Sequence, residues 1–519
     1  MSFSRASGVL LHPTSLPSRF GIGDLGMEAY RFVDFLVESG QRFWQILPLG
    51  PTGYGDSPYT CFSAMAGNPL LISLEVLRDN GFLTDEDLST LPEFPRETVD
   101  YGHVIQTKLP FQLNGDPSVE MPLLRRACEN FKAHASSLHQ KKFEEFCQAT
   151  SYWLEDYALF MALKDANDGK RWVEWVPAAL TKRQPEVIEE WRQRHKAEIF
   201  YHKFLQFEFF RQWSELKNYA NLRGIEIIGD MPIYVAHDSA EVWANREYFC
   251  LDDETSDPRL MAGVPPDYFS ATGQLWGNPI YNWERLEEEG YQWWIQRFHN
   301  MLAYVDWIRI DHFRGFEAYW EVEQGEPDAR NGKWIKGPGE KLFNLLNQKL
   351  GKLPIIAEDL GVITPEVEAL RDQFGFPGMK ILQFAFGSGP GNAYLPFNYQ
   401  RNCVVYTASH DNDTTVGWYA ELSNDEKQEH IRQSIMDYLG CTSSSGIHWD
   451  LIRLAYSSVA DLAIIPLQDI LGLGSEARMN RPGNASGNWS WRYHPDALNV
   501  ETRDRLKKIT ELYGRSSLT

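Results

Sequence analysis

The sequence predicts an α/β fold in which eight parallel β-strands close into a (β/α)8 barrel, with further segments inserted between strands. Three observations predict it. Short apolar runs of strand length occur eight times in the 519 residues, helical patterns separate the later runs, and polar residues gather at their C-terminal ends. Alternating strands and helices favour a parallel sheet, and eight strands favour closure. An open, doubly wound sheet is the alternative.

The predicted elements follow in order along the chain. The predicted strands are residues 8–12, 42–49, 225–235, 306–313, 353–360, 379–386, 404–411 and 462–471. The predicted helices that separate or follow them are residues 28–39, 339–350, 365–374, 425–439, 448–455 and 501–513. The last helix follows the eighth strand closely, so we expect no C-terminal β-sandwich.

Two stretches are longer than a simple crossover needs, and we interpret them as insertions. Residues 68–210 show charged, amphipathic helical patterns, which predict a mainly helical subdomain. Residues 236–281 have little helical periodicity but many Pro, Gly and aromatic residues, and long loops of this kind tend to be functional. The predicted organisation is a barrel of residues 1–67 and 211–519, a helical insertion, and a loop-rich insertion near the groove.

The composition favours a neutral ligand. A net charge of -21 and a pI of about 5.1 argue against nucleic acid and anionic membranes as partners, because both attract clustered Lys and Arg. Several of the 70 aromatic residues stand in Gly- and Pro-rich loops, where flat rings can stack on a flat ligand.

The cysteines and apolar runs bear on the cellular location. Six cysteines are scattered, with no C-x-x-C pair and no zinc spacing, which is typical of free thiols in a reducing compartment. The apolar runs are too short for a signal peptide or a membrane span. We therefore predict a cytoplasmic protein without a metal site.

The fourth predicted strand carries the most informative residues, within the stretch DWIRIDHFRGF at 306–316. Alternate strand residues share a face, so Arg309 and Asp311 are predicted to lie side by side. A carboxylate beside a fixed guanidinium is held ionised, which is the state that a nucleophilic carboxylate needs. A purely structural ion pair at the end of a strand is the alternative.

Neighbouring strands add further carboxylates at the same end of the predicted barrel. Asp230 stands in the third strand, Glu358 ends the fifth, and His410 with Asp411 ends the seventh. Such a row of like charges is costly unless it is used. Glycoside cleavage needs one carboxyl of raised pKa and one that stays ionised. Glu358 follows an apolar strand that could desolvate it, and Asp411 with His410 could hold sugar hydroxyls.

One competing motif is the G-x-G-x-x-G pattern at 21–26, which would indicate a dinucleotide site and an oxidoreductase. Residues 13–20 separate it from the first strand, and the second strand ends without an acidic residue for a ribose. A turn is the better interpretation.

Long motifs support a more specific interpretation. They are GVLLHPTSLPS, PTGYGDSPY, GDMPIYVAHDSAEVW, GVPPDYFSATGQLWGNPIY, RIDHFRGF, AEDLG, SHDN, RMNRPG and NWSWR. On these motifs, between residues 8 and 495, the sequence resembles the 4-alpha-glucanotransferases, also called amylomaltases or disproportionating enzymes, which are related to the α-amylases. The resemblance implies a (β/α)8 barrel, a retaining double displacement and no cofactor.

Carried over by motif, the resemblance implies that Asp311 is the nucleophile, Glu358 the acid/base and Asp411 the stabiliser of the transition state. It implies sugar binding or groove contacts for Tyr59, Asp230, Asp267, Tyr268, Trp276, Asn278, Arg309, His410 and Asn480.

The resemblance also implies the substrates. They are maltooligosaccharides, amylose, starch or glycogen, and a segment of an α-1,4-glucan would pass to the 4-hydroxyl of an acceptor sugar. An α-glucan hydrolase with water as acceptor and a catalytically inactive glucan-binding protein are the alternatives.

Overall fold

A computed structural model of the chain describes residues 4–109, 121–266, 270–425, 428–440, 446–484 and 486–516. The strands are β1 (Ala6–Leu10), β2 (Phe43–Gln45), β3 (Glu226–Pro232), β4 (Leu260–Val264), β5 (Gln274–Pro279), β6 (Trp307–Asp311), β7 (Ala318–Glu323), β8 (Lys333–Lys336), β9 (Ile355–Ala357), β10 (Gly378–Ile381), β11 (Cys403–Tyr406) and β12 (Leu462–Pro466).

Eight of these strands form one parallel sheet in the order β10-β11-β12-β1-β2-β3-β6-β9. The two outer strands of this order also meet, because the amide of Ala357 in β9 donates to the carbonyl of Pro377, just before β10, at 2.9 Å. Each predicted run overlaps one strand of the barrel. The predicted (β/α)8 barrel is confirmed, and the open sheet is wrong.

The barrel interior is filled by apolar side chains from all eight strands. Parallel strands are buried on both faces, so continuous apolar runs suit them. Gly8 lets β1 approach β2 closely: a Cβ atom there would stand 2.4 Å from the carbonyl oxygen of Phe43. The interior cluster continues upward to Met479, Trp489 and Tyr59, at the C-terminal ends of the strands.

The helices are α1 (Met27–Glu38), α2 (Leu74–Asp79), α3 (Asp85–Ser89), α4 (Tyr101–Lys108), α5 (Leu123–His134), α6 (Ser137–Ala149), α7 (Ser151–Ala166), α8 (Ala178–Thr181), α9 (Pro185–Arg194), α10 (Lys196–Leu222), α11 (Ala240–Ala244), α12 (Trp283–Glu288), α13 (Gln292–Tyr304), α14 (Gly339–Leu350), α15 (Pro365–Gln373), α16 (Thr415–Asn424), α17 (Glu429–Leu439), α18 (Ile447–Ser457), α19 (Leu467–Leu471) and α20 (Val500–Leu512). The six predicted helices correspond to α1, α14, α15, α17, α18 and α20. No separate sequence pattern predicted α16.

Helices α2 to α10 lie between β2 and β3, where the helical insertion is predicted. The predicted boundary after residue 210 falls inside α10, a continuous helix of 27 residues. Trp213 in this helix is buried and donates from its indole Nε1 to the carbonyl oxygen of Tyr304 at 2.7 Å. The division of the chain into domains stays a prediction.

A second sheet stands beside the barrel mouth. It is four-stranded and antiparallel, in the order β5-β4-β7-β8. Two of its strands belong to the stretch predicted to be loop-rich, and the other two lie between β6 and β9. The sequence did not indicate this sheet, because β4 and β5 each contain a glycine and neither shows a clear alternation of polar and apolar residues.

The two ends of the chain are joined at the bottom of the barrel. The guanidinium of Arg515 is buried and donates to backbone carbonyls, including that of Ala6 in β1 at 2.9 Å. Arg5 donates to the carbonyl oxygen of Tyr513 at 2.8 Å. In the part of the chain that the structure describes, every helix is too short or too polar to cross a bilayer.

Candidate active site

A buried guanidinium joins two strands at the mouth of the barrel. Asp230 in β3 stands opposite Arg309 in β6. The Arg309 Nη1 atom donates to both carboxylate oxygens of Asp230, at 2.8 and 2.7 Å, and to Oδ1 of Asp311 at 3.0 Å. Arg309 and Asp311 therefore lie side by side, and Asp230 is the second partner of the same guanidinium.

The two carboxylates differ in their access to solvent. The Asp230 side chain is fully buried, whereas 29% of the Asp311 side chain is exposed. Burial alone lowers the pKa of Arg309, but the negative charges of Asp230 and Asp311 outweigh it and raise that pKa above its ordinary value. Burial raises the pKa of Asp230, and the charge of Arg309 opposes that rise. Of the two carboxyl groups that Arg309 binds, Asp311 is the more accessible.

Glu358 follows β9 and lies against the loop after β6. Its Oε2 accepts the backbone N–H of His312 at 2.7 Å, and its Oε1 accepts that of Leu360 at 2.8 Å. Burial, together with the charge of Asp311, raises the pKa of Glu358 from 4.5 to about 7. Glu358 is therefore a carboxyl group that is poised to give or take a proton near neutral pH.

The backbone at His312 makes this arrangement possible. Its φ is 54°, in the left-handed region that residues other than glycine seldom adopt. Burial lowers the pKa of the His312 imidazole to about 4, so the ring is neutral at pH 7. A strained residue directly after Asp311, whose N–H binds Glu358, is typical of a functional site.

A second group lines the opposite side of the mouth. The Tyr59 hydroxyl donates to Asp230 Oδ2 at 2.9 Å, and the Tyr59 ring stacks on that of His410 with centroids 4.9 Å apart. His410 Nε2 lies 3.5 Å from Asp411 Oδ1, and the Asn480 side-chain amide donates to that oxygen at 2.6 Å. The Asp411 side chain is 50% exposed, so it is open to a ligand.

The remaining predicted residues lie on or near the second sheet. The Trp276 indole in β5 is 38% exposed and meets the His312 ring edge to face, with centroids 4.9 Å apart. The Asn278 side chain donates to the carbonyl oxygen of Val235 at 2.9 Å, so this hydrogen bond of Asn278 is to the backbone. Asp267 and Tyr268 lie outside the described residues.

This geometry brings three carboxyl groups with different surroundings together at one end of the barrel. Asp311 is accessible and sits beside a cation, Glu358 titrates near neutrality, and Asp411 is exposed with an amide and an imidazole beside it. Such a set can attack an electrophilic carbon, protonate a leaving oxygen and stabilise positive charge between them.

Comparison with known proteins agrees with this chemistry. A family model described as 4-alpha-glucanotransferase matches residues 11–499. The chain belongs to the 4-alpha-glucanotransferase family. It is 58% identical over 513 residues to the 4-alpha-glucanotransferase of Synechocystis sp., covering 98% of each chain. It is 51% identical over 517 residues to that of Thermus thermophilus, covering 99% of this chain and 100% of the relative.

A solved structure of the same family matches the whole architecture. The amylomaltase of Streptococcus agalactiae, determined in complex with acarbose, superposes with a TM-score of 0.91 at 42% identity. The match covers 99% of this chain and 100% of the other. The chain is thus an enzyme of the glycosyl-transferring type, as the 4-alpha-glucanotransferase family implies.

Sequence reasoning did not single out Trp489 as a member of this family's site. Its ring lies 5.9 Å from the Tyr59 ring and 6.0 Å from that of His410, measured between centroids. Its φ is 63°, a second left-handed residue at the mouth. The NWSWR motif contains this residue, but only the fold shows that the segments after β2 and β11 bring Tyr59 and His410 beside it.

A dinucleotide site and a metal site have no comparable support in the part of the chain that the structure describes. Residues 21–26 form a turn before α1, in which Asp24 Oδ1 accepts the N–H of Gly26 at 2.9 Å. Within the described ranges, His, Cys, Asp and Glu side chains form no group of three that could hold a metal ion.

Proposed function

We propose that Asp311, Glu358 and Asp411 transfer a segment of an α-1,4-glucan to the 4-hydroxyl of an acceptor sugar by a retaining double displacement. The observation that carries the proposal is the contrast between Asp311, paired with Arg309 at 3.0 Å, and Glu358, whose pKa is raised to about 7. Two neighbouring carboxyl groups in opposite states are what this reaction requires.

In the first step, an Asp311 carboxylate oxygen attacks the anomeric carbon of the donor. The glycosidic C–O bond breaks, and Glu358 gives its proton to the departing 4-oxygen. In the second step, Glu358 takes the proton from the 4-hydroxyl of the acceptor, whose oxygen displaces Asp311 from the anomeric carbon. Two inversions at one carbon restore the α configuration.

The other residues assist in defined ways. Arg309 binds the Asp311 carboxylate and holds it in place, and Asp411 stabilises the positive charge that develops on the sugar ring. The exposed carboxylate of Asp411, with His410 and Asn480 beside it, would accept hydrogen bonds from sugar hydroxyls. The neighbouring rings of Tyr59 and Trp489, which are tilted by 43° to each other, would offer an apolar surface to the sugar face.

The substrates fit the character of the chain. Maltooligosaccharides, amylose, starch and glycogen are neutral, and an acidic protein gains nothing from charge attraction to them. Trp276 and the loop at 478–483 would bind an acceptor and exclude water, which is the condition for transfer to exceed hydrolysis. The five described cysteines are unpaired, which supports the predicted cytoplasmic location.

The test is the product profile of the purified protein on maltotriose. We expect glucose together with maltooligosaccharides longer than the substrate, and their loss in Asp311→Asn. Asp85→Asn is the matched control, because the Asp85 side chain is 91% exposed and lies in α3. Products that are all shorter than maltotriose would identify a hydrolase, and a native profile in Asp311→Asn would refute the assignment of the nucleophile.

A further inference from the structure

Asp411 belongs to a loop whose own anchors are deep in the protein. This β11–α16 loop, residues 407–414, is held from below by Asp469, a fully buried residue after β12. Asp469 Oδ2 accepts the hydroxyls of Thr407 at 2.5 Å and Thr415 at 2.8 Å. These bonds fix the two ends of the loop, whereas the half-exposed Asp411 side chain stands at its top.

The guanidinium of Arg478 connects the top of this loop to a second loop, which contains Asn480. The Arg478 Nη2 atom donates to the backbone carbonyl oxygen of Asp411 at 2.7 Å. Its Nε donates to the backbone carbonyl oxygen of Asn480 at 2.7 Å. One planar group therefore binds the main chain of two residues 69 positions apart, whose side chains are joined by the 2.6 Å bond described above.

Arg478 is itself held in position. Its Nη1 lies 4.0 Å from Asp413 Oδ2, and the Ser475 hydroxyl donates to that same oxygen at 2.6 Å. The carbonyl of Asp413 accepts the Gln383 side-chain amide at 2.8 Å. Only about a fifth of the Arg478 side chain is exposed. The guanidinium is thus held between the two loops. Its N–H groups have a fixed planar geometry, which allows it to bind two acceptors at once.

We propose that Arg478 is a positioning residue for transfer, which sets the carboxylate of Asp411 and the amide of Asn480 at the distance that the sugar requires. The proposal rests on the function proposed above for Asp411. Arg478 binds backbone oxygens, so its effect reaches the sugar through the two side chains that it aligns. A shift of about 1 Å in a group that stabilises a transition state can cost about 10²-fold in rate.

The first variant is Arg478→Met, which keeps the length of the side chain and removes both hydrogen bonds. We expect kcat on maltotriose to fall by about 10- to 100-fold, with KM changed by less than about threefold, because the lost alignment matters most in the transition state. Arg478→Lys keeps the charge but not the fork, so it should retain an intermediate rate. Arg453→Met is the control, an arginine of α18 that contacts Tyr513.

The decisive comparison places Arg478→Met in the background of Asp411→Asn. A residue that acts through Asp411 should add less than about a threefold loss there, whereas independent effects multiply. Equal losses in both backgrounds, or a native kcat in Arg478→Met, would overturn the proposal. Full activity in Asp411→Asn alone would instead refute the proposed function. If Arg478→Met does not fold, the same comparison is made with Arg478→Lys: its loss of kcat in the native protein is compared with its loss in Asp411→Asn.

Discussion

At the scale of single residues, the protonation of Glu358 sets the pH range of the proposed reaction. Its pKa of about 7 means that the carboxyl group is protonated, and able to act as an acid, below that pH. We expect kcat/KM for maltotriose to fall as the pH rises through about 7, because kcat/KM reports ionisations of the free enzyme. Initial rates from about pH 5 to about pH 9 measure this profile.

Glu358→Gln supplies the comparison for that profile. The amide does not titrate, so the alkaline limb near pH 7 should be absent and kcat should be lower by about 10² to 10⁴-fold. A native profile that is flat through this range, or a limb that persists in the variant, would show that a different group sets the pH dependence.

Arg309 matters for stability as well as for chemistry. Its removal in Arg309→Met leaves the buried carboxylate of Asp230 without its cation, which typically costs about 3 to 5 kcal/mol. We expect the free energy of unfolding, measured with urea, to decrease by that amount. Arg42→Met breaks the partly exposed Arg42–Glu226 pair and should cost less than about 1 kcal/mol. Similar losses in the two variants would contradict the role of burial.

The pairing of Arg309 with Asp311 could be predicted from the sequence, because residues two apart on a strand share a face. The bond to Asp230 could not, because it depends on the register between β3 and β6. The left-handed backbone of His312 and the position of Trp489 were also beyond prediction. Both are set by contacts between segments that are distant in sequence, and neither residue type favours that conformation.

At the scale of elements, the second sheet brings Trp276 to the mouth of the barrel. Trp276→Ala removes an exposed indole on the side of His312 and Glu358, where the acceptor would bind. We expect the ratio of transfer products to hydrolysis products from maltotriose to fall by about 5- to 10-fold, since an aromatic contact contributes on the order of 1 kcal/mol. Chromatography of glucose and longer oligomers measures this ratio.

The control for this prediction is Trp191→Ala, which removes a tryptophan that stacks on His195 at the end of α9. Its ratio of transfer to hydrolysis should remain native. An unchanged ratio in Trp276→Ala would mean that β5 does not contribute to the acceptor side. A sheet of this kind is hard to predict from the sequence because its strands are short, β4 and β5 contain glycine, and β4 pairs with β7, which lies beyond β6 in the chain.

At the scale of the whole molecule, the helical segment between β2 and β3 supports the site from outside. The amide of Val99 donates to the carbonyl oxygen of Ser490 at 2.7 Å, and that of Arg492 donates to Glu97 at 2.9 Å. The Tyr101 hydroxyl donates to the carbonyl oxygen of Trp489 at 2.9 Å. The backbone that carries Trp489 into the mouth is therefore bonded to the segment before and within α4. The apolar runs were enough to predict the eight strands, but these hydrogen bonds could be identified only from the fold.

The pairing of β1 with β12 has a consequence for biosynthesis. Five residues of β1 are paired with β12, which is translated some 450 positions later. At typical elongation rates, the edge of β1 waits about 20 to 90 seconds for its neighbour. During that interval the nascent chain exposes an unpaired, apolar strand, which is a binding surface for molecular chaperones and a risk for aggregation between polysomal neighbours. The barrel can therefore close only after residues 462–466 have been synthesised.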